Sequence, residues 1–237
     1  MTSVTPGWAS RHMDELRATV SNPAPPPYPC HFASAAEHVG GNHYGHVDLT
    51  GERAAEVGRL AQELAEYLLT VRARGAYRRA TYLCAVGPTG GATLAQDQAA
   101  FWALLGDLHA VDTRPWPSSV PENPDDPGWV FCLGGEQIFP FALSPRYVTR
   151  RSRRVGVVLT VCFQSVAVFD GISGSTDAGR RAKAKVRQAL TAYEDAPLVA
   201  AMGDGLSSTA AKWRQYFPDD DGTSPGRCPM ATLGRRG

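Results

Sequence analysis

The stretch "VGVVLTVCFQSVAVFD", residues 155–170, is dense in valine and aromatic residues and has none of the spacing of a helix face. It reads as buried strand, because branched side chains fit a pleated surface between neighbours. It is also well short of the roughly 20 apolar residues that span a bilayer. Just before it, "WVFCLG" (129–134) and "QIFPFAL" (137–143) read as two more strands meeting at Gly134 and Gly135, the spacing of a tight hairpin. "RATYLCAVG" (79–87) is a further buried strand and "HYGHVDL" (43–49) an alternating one. Three consecutive strands in mid-chain, without strict alternation with helices, predict an α+β fold: one domain with a mainly antiparallel sheet flanked by helices.

The helices are legible by spacing. In "TGERAAEVGRLAQELAEYLLTVRARG" (50–75), Val57, Leu60, Leu64, Tyr67, Leu68 and Val71 recur at helical intervals; Thr50 is placed to cap the start and Gly75 to end it. Thr93 opens a second helix, "LAQDQAAFWALLGDLHAVD", and "DAGRRAKAKVRQALTAYED" (177–195) is a basic one. "CHFASAAEHVG" (30–40) is a short helix stopped by Gly40 and Gly41. Residues 1–27 hold an amphipathic turn, "SRHMDELRATV", and most of a proline-rich leader. They are expected to form an arm that adds little core, with the domain proper at 28–237. "TRPWPSSVPENPDDPGW" (113–129) is a proline-rich loop long enough to suggest a functional wrap.

The 237 residues suit a single large core. Lys and Arg number 24 against 23 Asp and Glu, giving net charge +1, so no global imbalance points to nucleic acid. The N-terminus lacks a basic segment followed by an apolar one, and no run spans a membrane, so a cytoplasmic location is expected. Five widely spaced cysteines without a C-x-x-C pair argue for reduced thiols over a disulfide framework. Cys84, Cys132 and Cys162 lie in strands and read as small buried residues, whereas Cys30 and Cys228 sit in loops beside prolines, where a thiolate is more accessible.

Four of the six histidines fall in "HFASAAEHVGGNHYGH" (31–46), but His43 and His46 on a strand point to opposite faces and are poorly placed to share one ion. His109 closes the helix face of Trp102 and Leu105, where the helix C-terminus favours imidazolium. "SPRYVTRRSRR" (144–154) sets five arginines between two strands. It reads either as a solvated run or as guanidinium forks for carboxylates. A nucleic-acid patch is the weaker reading, since the rest of the chain is not basic. Glu136 and the acids of "PENPDDPGW" suit either solvent or a cationic substrate, whose charge has to be paired when desolvated.

The ordered set "YPCHFA", "FWALLGDLH.VD..PWP..VP.NP.DPGW.F", "GGEQIF", "SPRY..RRSRR", "VCFQ" and "KWRQYFPDDD...CPM" resembles the YqcI/YcgG family from about residue 28 onward. The resemblance extends to haem proteins that hydroxylate a guanidine nitrogen of arginine or a derivative in specialised biosynthesis. It implies haem b, O₂ and an external electron donor such as a ferredoxin or flavin reductase, for no G-x-G-x-x-G follows a strand in this chain. It further implies a haem-dependent monooxygenase acting on a small amine or guanidine, with no nucleic-acid or membrane partner; a haem sensor or carrier without turnover is the alternative. For the iron ligand, His109 matches the "LH..D" position and comes first. Cys30 is second, where a thiolate would push electron density toward O–O cleavage, and Cys228 third. Arg150, Arg151 and Arg153 would hold propionates or a substrate carboxylate. Glu136 or Asp112 would pair the cationic end, and Trp116, Trp129 and Phe139 would wall the pocket. Some members carry a histidine near the position of Tyr147; here the Tyr147 hydroxyl would be the donor to bound oxygen if it lines the site.

Overall fold

The computed structural model describes residues 5–75, 80–87, 93–170, 176–198 and 211–232. Along the chain run α1 (Gly7–Val20), α2 (His31–His38), β1 (Asn42–Asp48), α3 (Arg53–Arg74), β2 (Thr81–Gly87), α4 (Leu94–Val111), β3 (Cys132–Leu133), β4 (Glu136–Leu143), β5 (Leu159–Ser165) and α5 (Asp177–Tyr193). Short 3₁₀ turns occupy Val166–Phe169, Lys212–Gln215 and Pro229–Thr232. The strands form one five-stranded sheet in the order β1-β2-β5-β4-β3. β1 and β2 are parallel, with α3 in the connection between them, and every other pairing is antiparallel. This is the expected α+β architecture.

The run 155–170 is more divided than its composition predicts. Strand β5 covers only Leu159–Ser165, every residue of it buried. Gly156, at φ +79, turns the chain into the strand, and the Ser165 hydroxyl accepts from the Ala167 amide to start the 3₁₀ turn that ends it. Alternation then splits the sheet into two faces. Val161 and Phe163 join Tyr82, Cys84 and Val86 beneath α3 and α4, whose Leu60, Leu64, Phe101, Leu105 and Leu108 fill that side. Cys162 joins Leu83 and Leu143 on the other side, under Leu16, Val20 and Tyr28.

Three local expectations change. Residues 1–27 do contribute core: α1 buries Ala9, His12, Met13, Leu16 and Val20, a helical face each of whose larger apolar members is worth roughly 2 kcal/mol. The prolines that suggested an arm begin only after this helix. "WVFCLG" yields just two strand residues, although the hairpin turn forms as expected, with Gly134 and Gly135 both at positive φ. Thr50 does not cap α3. Its amide and hydroxyl both donate to the Asp48 carboxylate, and Glu52 occupies the cap position without a side-chain bond. Gly75 does end α3 in the left-handed conformation, and Thr93 forms a reciprocal capping box with Gln96.

Candidate functional site

The predicted site residues fall into three groups, and the sheet separates the two leading iron-ligand candidates. The first group gathers at the end of α4. The His109 ring meets Trp116 edge-on at 5.5 Å, Trp116 stacks on Trp129 at 6.4 Å, and Trp129 meets Tyr216 at 6.4 Å. The Tyr216 hydroxyl accepts from the Phe131 amide. Trp102, Trp129, Trp213 and Tyr216 are each at most 5% exposed, whereas His109 and Trp116 at the end of this aromatic column are half-buried. At its edge Asp112 accepts from the Arg114 and Gly134 amides, and Glu136 pairs with Arg72 at 2.8 Å. Both acids therefore brace the β3–β4 hairpin, a task their positions in the sequence did not reveal.

The second group is the arginine loop. Arg150 is 2% exposed; its Nε donates to the Asp219 carbonyl at 2.9 Å and a terminal nitrogen to the Pro197 carbonyl at 3.0 Å. Its amide, with those of Val148 and Thr149, donates to the Asp220 carboxylate, and these bonds hold that acid below the usual carboxylate range against the effect of burial. Tyr147 is 1% exposed and donates its hydroxyl to the Pro218 carbonyl at 2.6 Å. Arg150 and Tyr147 thus clasp the loop to the C-terminal segment, bonds between parts of the chain that local sequence does not reveal.

The third group lies on the opposite face of the sheet, around Cys30. Backbone at φ −90 and ψ 92 makes Cys30 the N-cap of α2, and its carbonyl accepts from Ser34. The thiol thus sits where unsatisfied amides and the helix dipole favour a negative charge. Cys30 is half-buried and packs against the cluster containing Leu16, Tyr28 and Cys162, together with the half-buried rings of Tyr44, Phe141 and Tyr193. Each of these three rings carries a guanidinium: Arg17 over Tyr44 at 4.1 Å, Arg153 over Phe141 at 5.3 Å and Arg151 over Tyr193 at 4.9 Å. Arg153 is further fixed by donating to the Ala142 and Gln215 carbonyls, and Arg151 lies 3.9 Å from Asp195. Phe139 reaches this group through Phe141, at 6.3 Å, and touches Tyr216 of the aromatic column at 5.1 Å.

The other thiols are spoken for by packing. All five cysteines are free, but Cys84, Cys132, Cys162 and Cys228 are buried. Desolvation pushes Cys132 and Cys228 up to about 12, and the two strand thiols Cys84 and Cys162 higher still. A thiolate is therefore costly at Cys228, the third candidate ligand. Among the described residues no group of three or more His, Cys, Asp or Glu could hold a metal ion by protein ligands alone. A haem iron asks for a single protein donor, apolar walls and cations for its two acids, and the cluster that Cys30 packs against carries residues of each of these types.

Nothing local in the sequence marks the contact of Arg17 in α1 with Tyr44 in β1. His12, Asp97 and Tyr28 are likewise unmarked. His12 and Asp97 are buried polar side chains, with Nε2 of His12 2.7 Å from Thr160 Oγ1 and Asp97 accepting from Ser144 at 2.6 Å. Among the described residues no helix is long and apolar enough to cross a membrane.

A family model described as "YqcI/YcgG family" matches residues 16–231. Two Bacillus subtilis (strain 168) proteins named as uncharacterized, YcgG and YqcI, are 35% and 33% identical over 133 residues, which is 56% of this chain and 52% of each of theirs. The chain thus spans about half the length of these curated relatives. A Streptomyces lavendulae protein provisionally named N(omega)-hydroxy-L-arginine synthase DcsA is 28% identical over 214 residues, 89% of this chain and 78% of its own. No solved structure matches.

Proposed function

Because the chain belongs to the YqcI/YcgG family, we propose that it hydroxylates a nitrogen of arginine or a small amine or guanidine derivative, using haem b and O₂. The reaction rests on likeness, along 89% of the chain, to a relative whose name is that of an arginine N-hydroxylating enzyme. The observation that supports the cofactor is the setting of Cys30: the half-buried thiol among five, at a helix N-terminus, packed against the same cluster as Tyr44, Phe141 and Tyr193 with their guanidinium partners.

In this reading the Cys30 sulfur, at the residue that opens α2, would be the iron donor. Arg151 and Arg153 would in turn neutralise the acidic groups of the cofactor. Tyr44, Phe141 and Tyr193 supply the apolar walls that exclude water and so strengthen every charged contact between them. Haem bound there supplies the activation of O₂ that puts one oxygen atom onto an N–H nitrogen. We place the Cys30 face ahead of the first sequence candidate, His109, because three guanidinium groups stack on rings of the cluster that Cys30 packs against, whereas the His109 ring meets Trp116 edge-on at the end of α4.

The test is product formation. Haem-loaded protein given L-arginine, O₂ and a chemical reductant is expected to yield a compound heavier by one oxygen, detected by mass spectrometry, with Cys30→Ser losing at least about a hundredfold in rate. A haem-loaded protein that turns over neither arginine nor other guanidines and amines, yet binds CO, would establish the carrier or sensor alternative instead.

A further inference from the structure

Helix α5 is little buried for its length. Of its 17 residues, Gly179 alone is fully buried. The stripe Ala182, Val186, Ala189, Leu190 and Tyr193, at helical spacing, is half-buried against the protein. The remaining arc carries Arg180, Arg181, Lys183, Lys185 and Arg187 against the single acid Asp177, and all of these but Lys183 are exposed. The helix is therefore net +4 in a chain of net +1, leaving everything outside it at −3.

The far end of this helix belongs to the Cys30 site. Tyr193 in its last turn meets Tyr28 edge-on at 5.9 Å, lies under the Arg151 guanidinium and packs against the cluster that includes Cys30. Glu194 and Asp195, just beyond, hold the 149–152 turn through Ser152 and Arg151. A protein docked along α5 would have its nearest basic contact, Arg187, about 9 Å along the helix from Tyr193.

We propose that the basic arc of α5 is the docking face for a small acidic electron-carrier protein of the [2Fe–2S] ferredoxin class. The inference rests on the haem reading above and names the partner that this reading requires. Converting one guanidine N–H and one O₂ to N–OH and one water consumes two electrons and two protons. The ferredoxin delivers the electrons one at a time, two reduced molecules being oxidised per turnover, and the protons come from solvent. Complementary charge speeds the encounter of such transient partners and fixes their orientation. A bilayer is a poorer occupant, because the exposed arc presents no Trp, Phe or Leu to insert.

The test measures binding of an oxidised plant-type [2Fe–2S] ferredoxin to the full chain, which requires no haem turnover. Arg181→Glu with Lys185→Glu is compared with Arg11→Glu with Arg53→Glu, an equal charge change on α1 and α3. The Kd is expected to rise about tenfold or more in the α5 pair, to change less than about twofold in the control pair, and to weaken with salt. Unchanged binding in the α5 pair, an equal loss in the control, or tighter binding to a short DNA duplex or to phosphatidylserine vesicles than to ferredoxin would overturn the docking face. Haem content is read separately from the Soret band. A colourless chain that still binds ferredoxin through α5 keeps the docking face and sinks the haem reading; a haem-loaded chain indifferent to Arg181 and Lys185 does the reverse.

Discussion

His12 shows how one residue can hold two distant parts of the chain together. Its Nδ1 accepts from the amides of Val157 and Val158 at 3.0 and 3.3 Å, which fixes the proton on Nε2, and Nε2 donates to Thr160 Oγ1. Burial lowers its pKa from 6.5 to about 4, since a charged ring would be desolvated and would aim a second proton at two N–H donors. The unfolded chain takes up this proton as pH falls below about 6.5 while the folded chain does not. The His12 contribution is therefore complete above that pH, declines between 6.5 and 4 by about 3 kcal/mol, and is flat below. Denaturant unfolding followed across pH 7 to 4 should show this slope in the wild type. His12→Ala should be less stable by about 3 kcal/mol at pH 7, leaving two buried amides unpaired, and should have a flatter acid limb. An unchanged limb would assign the acid sensitivity to other groups. No local pattern marks His12 in the sequence, because its partners lie 145 to 148 residues away. The helix start at Cys30, by contrast, is legible in "YPCHFA", where a proline-rich approach meets the first turn of α2.

At the scale of elements, local signals were reliable where the cause was local. Thr93 with Gln96, Gly75 after Arg74 and the Gly134-Gly135 turn each form what their residue types dictate, because a cap or a positive φ depends on neighbours in sequence. Strand limits were less legible in 155–170, since apolar content alone does not say where a strand gives way to a turn. Gly156 marks the boundary: at φ +79, a Cβ there would lie 2.2 Å from the His12 ring. Gly156→Ala is expected to cost about 2 to 4 kcal/mol in equilibrium unfolding, part from the backbone and part from the collision. In a His12→Ala background the same change should cost only about 1 kcal/mol, the backbone part alone. Additive costs in the two backgrounds would contradict the contact. The Asp220 carboxylate, accepting three consecutive amides from 70 or more residues away, is an element-level clasp that nothing local in "PDDDGT" reveals.

On the scale of the whole molecule, the sheet divides the arginine and aromatic motifs between two faces, and this division is what the sequence could not convey. Motif order placed His109, Trp116 and Trp129 beside one another but was silent on whether Cys30 joined them; it faces the other way, among Tyr44, Phe141 and Tyr193. The N-terminal helix completes that second face. Deleting residues 1–20 removes Leu16 and Val20 from the cluster that holds Cys30, and Arg17 from above Tyr44. Losing three buried apolar side chains, Met13 included, should cost roughly 5 kcal/mol or more, a large share of a typical domain's stability. The shortened chain is therefore expected to be largely insoluble or to unfold at a much lower temperature. A truncated chain with an unaltered Tm would return residues 1–27 to the status of an arm.

The Cys30 site itself is tested most directly by the absorption spectrum of the reduced, CO-bound protein after reconstitution with hemin, measured for the wild type, Cys30→Ser and His109→Ala. Ligation by Cys30 predicts the strongly red-shifted Soret band of a thiolate–haem–CO complex in the wild type and in His109→Ala, and its loss in Cys30→Ser. An imidazole-type band that disappears only in His109→Ala, or no Soret band in any of the three, would contradict it.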